Sequence, residues 1–544
     1  MRSRRLSNLI IAGIAVVCTS IPGLAHESRD DALAGSARVL GQIDFPTSTD
    51  SKAAQEAFIS GMLLLHLFEY PYAEAEFRRA REIDPGFAMA YWGEAMTHNH
   101  PIWDEQNIGK ARAVLAELGD TPEQRQATTS SQKERDYLGA LEILYGDGAK
   151  DERDQAYMRQ MRAMSQRYPD DHEVQLFHAL SLFGVHAGVR DVPAYIEAAA
   201  IAQRVFYANR QHPGAAHYFI HGVDDPVHAP LALEAARALA QMAPDAGHSL
   251  HMTSHIFIAL GLWSDMVEAN VKAVAASNRM AGERGGSARS WGHYNFWLLY
   301  GLLQQDRRDD ARKLLLDARK GLQAVNAVPV DPLELDPDRS HVGSVVQMWA
   351  RYMIETRGAD KAIGDWNFET GDAFDPALNF HYVHGLLASD AATVIEHQRA
   401  FQSLKRDLRA AVLESHRQAP SELLYLDRLD VIDHQLQAAL ARAQGKLEPA
   451  IEQAVQANRL EAEMPHSFGP PFVDFPSAEL LAQLLLEAGR FDEAAEAYAL
   501  QLERTRARLQ ALLGQAEAER RRGNTDRAEQ AMEQVRTMTE APKP

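Results

Sequence analysis

The sequence predicts an all-α chain, and three observations carry that reading. Apolar residues recur at helical spacing, as at Leu480, Leu481, Leu484 and Leu485. Glycine, proline and β-branched residues are sparse inside long stretches rich in Ala, Leu, Glu and Arg, which are strong helix formers. No segment alternates polar and apolar residues as a half-buried strand does. The chain has 544 residues, 46 % hydrophobic and 24 % charged, a composition that excludes global disorder. Its net charge of −19 and the lack of a basic block argue against a nucleic-acid partner. No apolar run reaches the roughly 18–20 residues of a membrane-spanning helix, so no span is expected.

Residues 1–25 read as an export signal. Arg2, Arg4 and Arg5 make a positive start, residues 9–18 a short apolar core, and Gly23, Leu24 and Ala25 a cleavage site before His26. A periplasmic or secreted protein is expected. Cys18, the only cysteine, falls in the removed segment. The mature chain then has no disulfide and no thiolate, and any metal site must be built from His, Asp and Glu. Residues 26–50 read as a polar lead-in.

Helical repeats are expected from 51 to 320. Gly61, Ala73, Phe77, Ala80 and Pro85 place small residues, an aromatic ring and a terminal proline at set intervals. Ala482, Ala494 and Tyr498 repeat the spacing, with Gly489 and Phe491 at the turn, and Ala516 and Ala528 follow 34 residues later. Leu299, Ala311, Leu315 and Ala318 fit another unit, as do Ala438, Ala450, Ala454 and Ala457. A further unit runs from residue 250 to 273 and departs from the pattern at Ser254 and Met266. This spacing resembles the tetratricopeptide repeat (TPR), an antiparallel helix pair of 34 residues. The resemblance implies a right-handed α-solenoid that binds a peptide or protein in its concave groove. The period fades over 321–420, which reads as an irregular helical segment. It resumes over 421–535, and 536–544 reads as a disordered tail. Two proline-rich stretches, 324–342 and 464–477, read as long loops crossing the solenoid, a common place for function.

Histidine is the strongest chemical signal. Ten of the 22 lie between His172 and His255. His217 and His221 are i,i+4 neighbours, as are His251 and His255, with His248 three residues earlier. Such pairs share one helix face and can chelate a metal. The pairs are offset by 251 − 217 = 34 residues, one repeat, so four imidazoles are expected to converge. The TPR resemblance implies that they face the groove, together with His66 and His100, which are also 34 apart, and Trp92. His248, Asp224, Asp225, His178 and His186 are further candidate ligands or supports. Asp224 and Asp225 read equally as turn formers ahead of Pro226.

Imidazole donors suit Zn²⁺, Cu²⁺ or Fe²⁺. No HExxH, P-loop, GxGxxG or GxSxG motif is present. The glycine-rich stretch 282–290 offers Arg284 and Arg289 as weak anion contacts. Two readings stay open. One is an exported scaffold with a metal in its groove. The other is a metal-dependent enzyme, a hydrolase or oxidoreductase, with Asp224, Asp225 or Glu234 as base. A metal-free, pH-responsive binder is a third possibility.

Overall fold

The computed structural model describes residues 38–186, 190–324, 330–415, 419–466 and 468–540. The expected export signal and the last residues of the tail lie outside the described residues. Twenty-five α-helices fill the described chain, each packed chiefly on its sequence neighbour in antiparallel pairs. This is a TPR-like solenoid.

The first pair, Lys52–His66 and Tyr70–Ile83, shows why the small residues stand where they do. Ser51 caps the first helix by accepting a bond from the Ala54 N–H. The second helix carries Pro71 in its first turn, where the missing N–H is no loss. The Phe77 ring packs against Gly61, where a Cβ would come within 2.8 Å of it. Gly93 of the next helix, Ala88–Met96, presses on the same ring. Two backbones therefore close on one buried aromatic. Tyr498 and Gly514 repeat the arrangement near the C-terminus, with Ala482 and Ala494 fully buried beside them. Gly489 and Gly523 make their turns at φ of 74° and 86°, where only glycine is unstrained.

Three segments differ from expectation. The lead-in is tied down where it is described: Gln42 N–H donates to Gln211 O at 2.8 Å, and Phe45 is buried among Phe58, Trp92 and Tyr137. Within 321–420 the helices are uneven, and the one between His341–Glu355 and Phe374–Leu387 is a single turn, Lys361–Gly364. His341–Glu355 and Phe374–Leu387 start 374 − 341 = 33 residues apart. Ala391–Glu414 and Pro420–Ala443 then have 24 residues each, longer than a repeat helix needs. The last helix, Thr525–Thr539, continues past residue 535, where the tail was expected to begin. A two-residue ladder, Asn99–His100 against Glu105–Gln106, is too short to show in a sequence pattern. No helix among the described residues is long and apolar enough to cross a membrane.

The C-terminal repeats fold back on the middle of the chain. Trp263 Nε1–H donates to Ala507 O at 2.7 Å, and Arg506 donates to Pro226 O at 2.8 Å. Arg508 is completely buried between two carboxylates, with Nε 2.7 Å from Glu479 and Nη1 2.6 Å from Glu355. Gln304 Oε1 accepts from the adjacent Leu509 N–H at 2.9 Å. The proline-rich loop 464–477 is strapped down by two more buried arginines. Arg351 donates to Pro471 O and Asp474 O, and Arg428 to Phe472 O and the Asp474 carboxylate.

Removing one partner of a buried ion pair strands the other charge, at a cost of about 3–5 kcal/mol. Arg508→Ala is expected to destabilise the protein by about that much, read from urea unfolding. A loss within the few tenths typical of a surface site would show that the network does not hold the two regions together.

Candidate metal centre

Three helices bring the histidines together. Pro213–Val223 carries His217 and His221. Its own N-cap is His212, whose ring accepts from the Ala215 N–H at 3.3 Å. This helix packs closely on Lys52–His66: a Cβ at Gly214 would sit 2.5 Å from the His66 ring. Gly247–Leu260 carries His248, His251 and His255. Its first turn is held by Glu69, whose carboxylate accepts from the His248 N–H at 3.0 Å. Loss of solvent raises the pKa of Glu69 to about 7. His293–Gln304 carries His293 at its start, after Gly292.

The four expected ligands do not form one set. They divide between two trios, each joined by a further histidine. In the first, His217, His221 and His248 each bring a ring nitrogen within 4.8 Å of the others. His217 Nδ1–H donates to the His66 carbonyl at 2.6 Å, so its Nε2 is a bare lone pair. The Nε2 atoms of all three are buried and have no hydrogen-bond partner. Phe68 lies against the trio, its ring 4.4 Å from that of His217, and Trp103 stands edge-on to His248.

The second trio is His251, His255 and His293. Each Nδ1 meets an acceptor: Asn270 Oδ1 at 2.8 Å, Asp224 Oδ2 at 3.0 Å and Asp338 Oδ2 at 2.7 Å, respectively. The Asn270 amide orientation is fixed because its nitrogen donates to Met266 O. All three rings, when neutral, therefore keep the proton on Nδ1 and present Nε2 as a lone pair. These lone pairs point at one another, with His251 Nε2 3.2 Å from that of His255 and 3.0 Å from that of His293. With all three rings neutral such an arrangement is repulsive, and a proton on His293 Nε2 or a cation among the three relieves it. Nδ1 bound to a carboxylate or amide oxygen is also the usual outer support of a metal-binding histidine. Trp297 and Phe468 stack on the two faces of His255 at 4.6 and 5.2 Å between centroids.

Burial disfavours charge on these rings. It lowers the pKa of His217 to about 3 and holds His221, His248 and His251 well below the ordinary value, with neighbouring imidazoles adding to the effect. His255 is lowered less because Asp224 opposes its burial. His293 is the exception: burial works against its charge, but Asp338 overrides that and raises its pKa. Five of the six donors are thus held toward the neutral form that a metal requires, while Asp338 holds His293 toward its charged form, from which a metal would displace the proton.

Asp224 reaches both trios. Its Oδ2 lies 3.9 Å from His221 Nδ1 as well as bonding His255, and Arg190 pairs with its Oδ1. Asp225 does turn chemistry, accepting from the Val227 and His228 N–H groups at 2.9 and 3.0 Å.

Other expected residues lie elsewhere. His66 is not a groove contact. It is buried against Glu173, with Nε2 2.7 Å from Oε2, while His212 Nε2 lies 3.0 Å from Oε1. Tyr218 OH lies 3.0 Å from His66 Nδ1. Although this group has metal-type donors, each of its ligating nitrogens already bonds a carboxylate oxygen, so it is a closed hydrogen-bond network. Trp92 is core, not groove wall, packed on Tyr137 and Phe177. His100 stacks on Tyr70 at 3.9 Å and donates to Thr97 O. His178 sits beside Arg162, and His186 ends its helix; neither joins the trios. Glu234 is exposed and paired with Arg210, too far out to act as a base here. Arg284 and Arg289 lie over the rings of Tyr72 and Trp291.

No family model matches the chain, and no curated protein sequence matches it. Among solved structures it is similar to the yeast Tom70, at 12 % identity and a TM-score of 0.31, covering 89 % of this chain and 93 % of that one. It is also similar to the human IFIT1 dimer with m7Gppp-AAAA, at 13 % identity and a TM-score of 0.34, covering 94 % and 99 %. The TPR domain of P58(IPK) matches at 14 % identity and a TM-score of 0.20, covering 86 % and 98 %. These scores carry no argument about ligand or activity. The repeat architecture rests on the helix pairing itself.

A hydrogen bond to a charged group is worth about 1.5–3 kcal/mol. Glu173→Gln turns one acceptor oxygen toward His66 or His212 into a donor, and is expected to lower stability by about that amount in chemical denaturation. An unchanged midpoint would show that the carboxylate is not what the two rings bond.

Proposed function

We propose that the protein is an exported TPR-type scaffold whose two histidine trios hold a transition metal, and that this metal carries its activity. The observation behind the reading is the set of Nε2 atoms, buried and unpartnered in one trio and facing one another in the other. An unpaired buried polar atom costs about 1–3 kcal/mol, and a bound cation removes that cost at every one of these atoms. All-nitrogen donors fit Zn²⁺, Cu²⁺ or Fe²⁺. Three histidines leave a position for another ligand, which favours a metal-dependent enzyme, hydrolase or oxidoreductase, over a metal that only staples the fold. The burial of five of the six rings speaks against a peptide anchored on them, and their resistance to protonation speaks against a metal-free pH sensor. Export to the periplasm or beyond rests on residues 1–25 alone.

A protein or peptide partner remains a second reading at a different place. A cavity of about 480 Å³ lies between the C-terminal repeats and the middle of the chain, lined by Arg308, Glu355, Arg357, Arg442, Glu487 and Glu517.

The test is metal content. The chain from residue 26, made without a histidine tag, is expected to bind Zn, Cu or Fe as isolated or after reconstitution. A folded variant with His221→Ala and His255→Ala, one change in each trio, is expected to lose that metal. Native protein that stays metal-free with all three ions would overturn the proposal.

A further inference from the structure

We propose that the two trios act as one two-metal centre that binds a small anion between its ions. This rests on the metal reading above and goes beyond it, since two separate mononuclear sites would satisfy that reading equally.

The trios are neighbours on shared elements. His248 and His251 stand one turn apart on the same helix, with ring centroids 6.3 Å apart. His221 and His255, from facing helices, are 5.8 Å apart and nearly perpendicular. Asp224 serves a ring of each trio with the same Oδ2 atom. A single outer carboxylate between two ligands couples the orientation of one site to the other.

Charge supplies the anion. Six neutral imidazoles bring no negative charge to two divalent ions. Of the carboxylates nearby, Asp224 is already paired with Arg190, Glu69 bonds the backbone of His248, and Asp338 is the one facing a ring from the second trio alone. Two ions in this buried chamber would leave an excess of positive charge, which is costly in a low dielectric. An anion seated between them lowers that cost and fills the coordination position that each trio leaves free. Two-metal centres hold their ions about 3.5–4 Å apart, a span that one small anion bridges. Access is at hand: a cleft of about 300 Å³, lined by Asp224, Pro226, Ile258 and His466, reaches the carboxylate that links the trios.

Copper(II) is the probe, because two bridged Cu²⁺ ions couple their spins and lose their paramagnetic resonance signal, whereas isolated ions keep it. The chain from residue 26 is stripped with a chelator, loaded with Cu²⁺ and measured for copper and for spin. We expect about two coppers per chain with most of the signal missing, as befits a two-metal centre. His217→Ala and His293→Ala, one change in each trio, are each expected to hold one copper with its full signal. Azide, read from its charge-transfer absorption, is expected to bind at one per two coppers in the native protein and at one per single copper in each variant. Two coppers with full spin intensity, or a single copper per native chain, would overturn the two-metal centre while leaving metal binding intact. Coupled copper that ignores azide would overturn the anion site. Binding of no copper, zinc or iron would instead sink the metal reading itself. The spin count of the native protein decides the main point even if a variant fails to fold.

Discussion

The buried Arg508 pair sets the terms for the rest of the molecule. In a solenoid each repeat touches only its neighbours, so distant repeats have no reason to meet. Arg508, held by Glu355 and Glu479 and flanked by the Gln304–Leu509 bond, gives them one. Residues near 507 then reach Trp263, and the loop before Ser477 is carried across the middle of the chain. Helix faces that would line an open groove are covered, and the histidines they carry become interior groups.

Interior histidines have two stable solutions, and the protein uses both. Around Glu173 the ligating nitrogens of His66 and His212 each find a carboxylate oxygen, and the network is complete within the chain. In the two trios the Nδ1 atoms of His217, His251, His255 and His293 find oxygen acceptors, while the Nε2 atoms of all six rings find only each other or nothing. The same residue type in the same burial thus reads as structural in one place and as ligand-seeking in the other. What separates them is the count of lone pairs against donors.

Much of the fold was legible because small residues and aromatic rings mark where helices press together. Phe77 between Gly61 and Gly93, and Tyr498 on Gly514, are direct prints of that packing. The stretch between 321 and 420 was less legible because its helices vary in length, and register depends on length. At the site, the 34-residue offset correctly placed His217, His221, His251 and His255 on adjoining helices. It could not show the division into trios. His293 stands 293 − 251 = 42 residues from its partner, off the period, because the long Trp263–Glu283 helix and its glycine-rich turn intervene. The aromatic neighbours of His293 in the sequence, Trp291, Tyr294 and Trp297, were the signal available. Asp338 and Phe468 come from the two proline-rich loops, whose paths no periodicity describes.

Phe468 against His255 has a consequence for timing. That ring and Trp297 cover the His255 imidazole, so its swing away from an ion waits on a local unfastening of the loop. The Arg351 and Arg428 bonds hold one end of that loop firmly, which makes the unfastening rare. Residence in such a chamber is governed by how often the cover lifts and not only by how tightly the nitrogens hold. A chelator in solution would then strip the protein at a rate independent of its own concentration, and the loop would act as the clock.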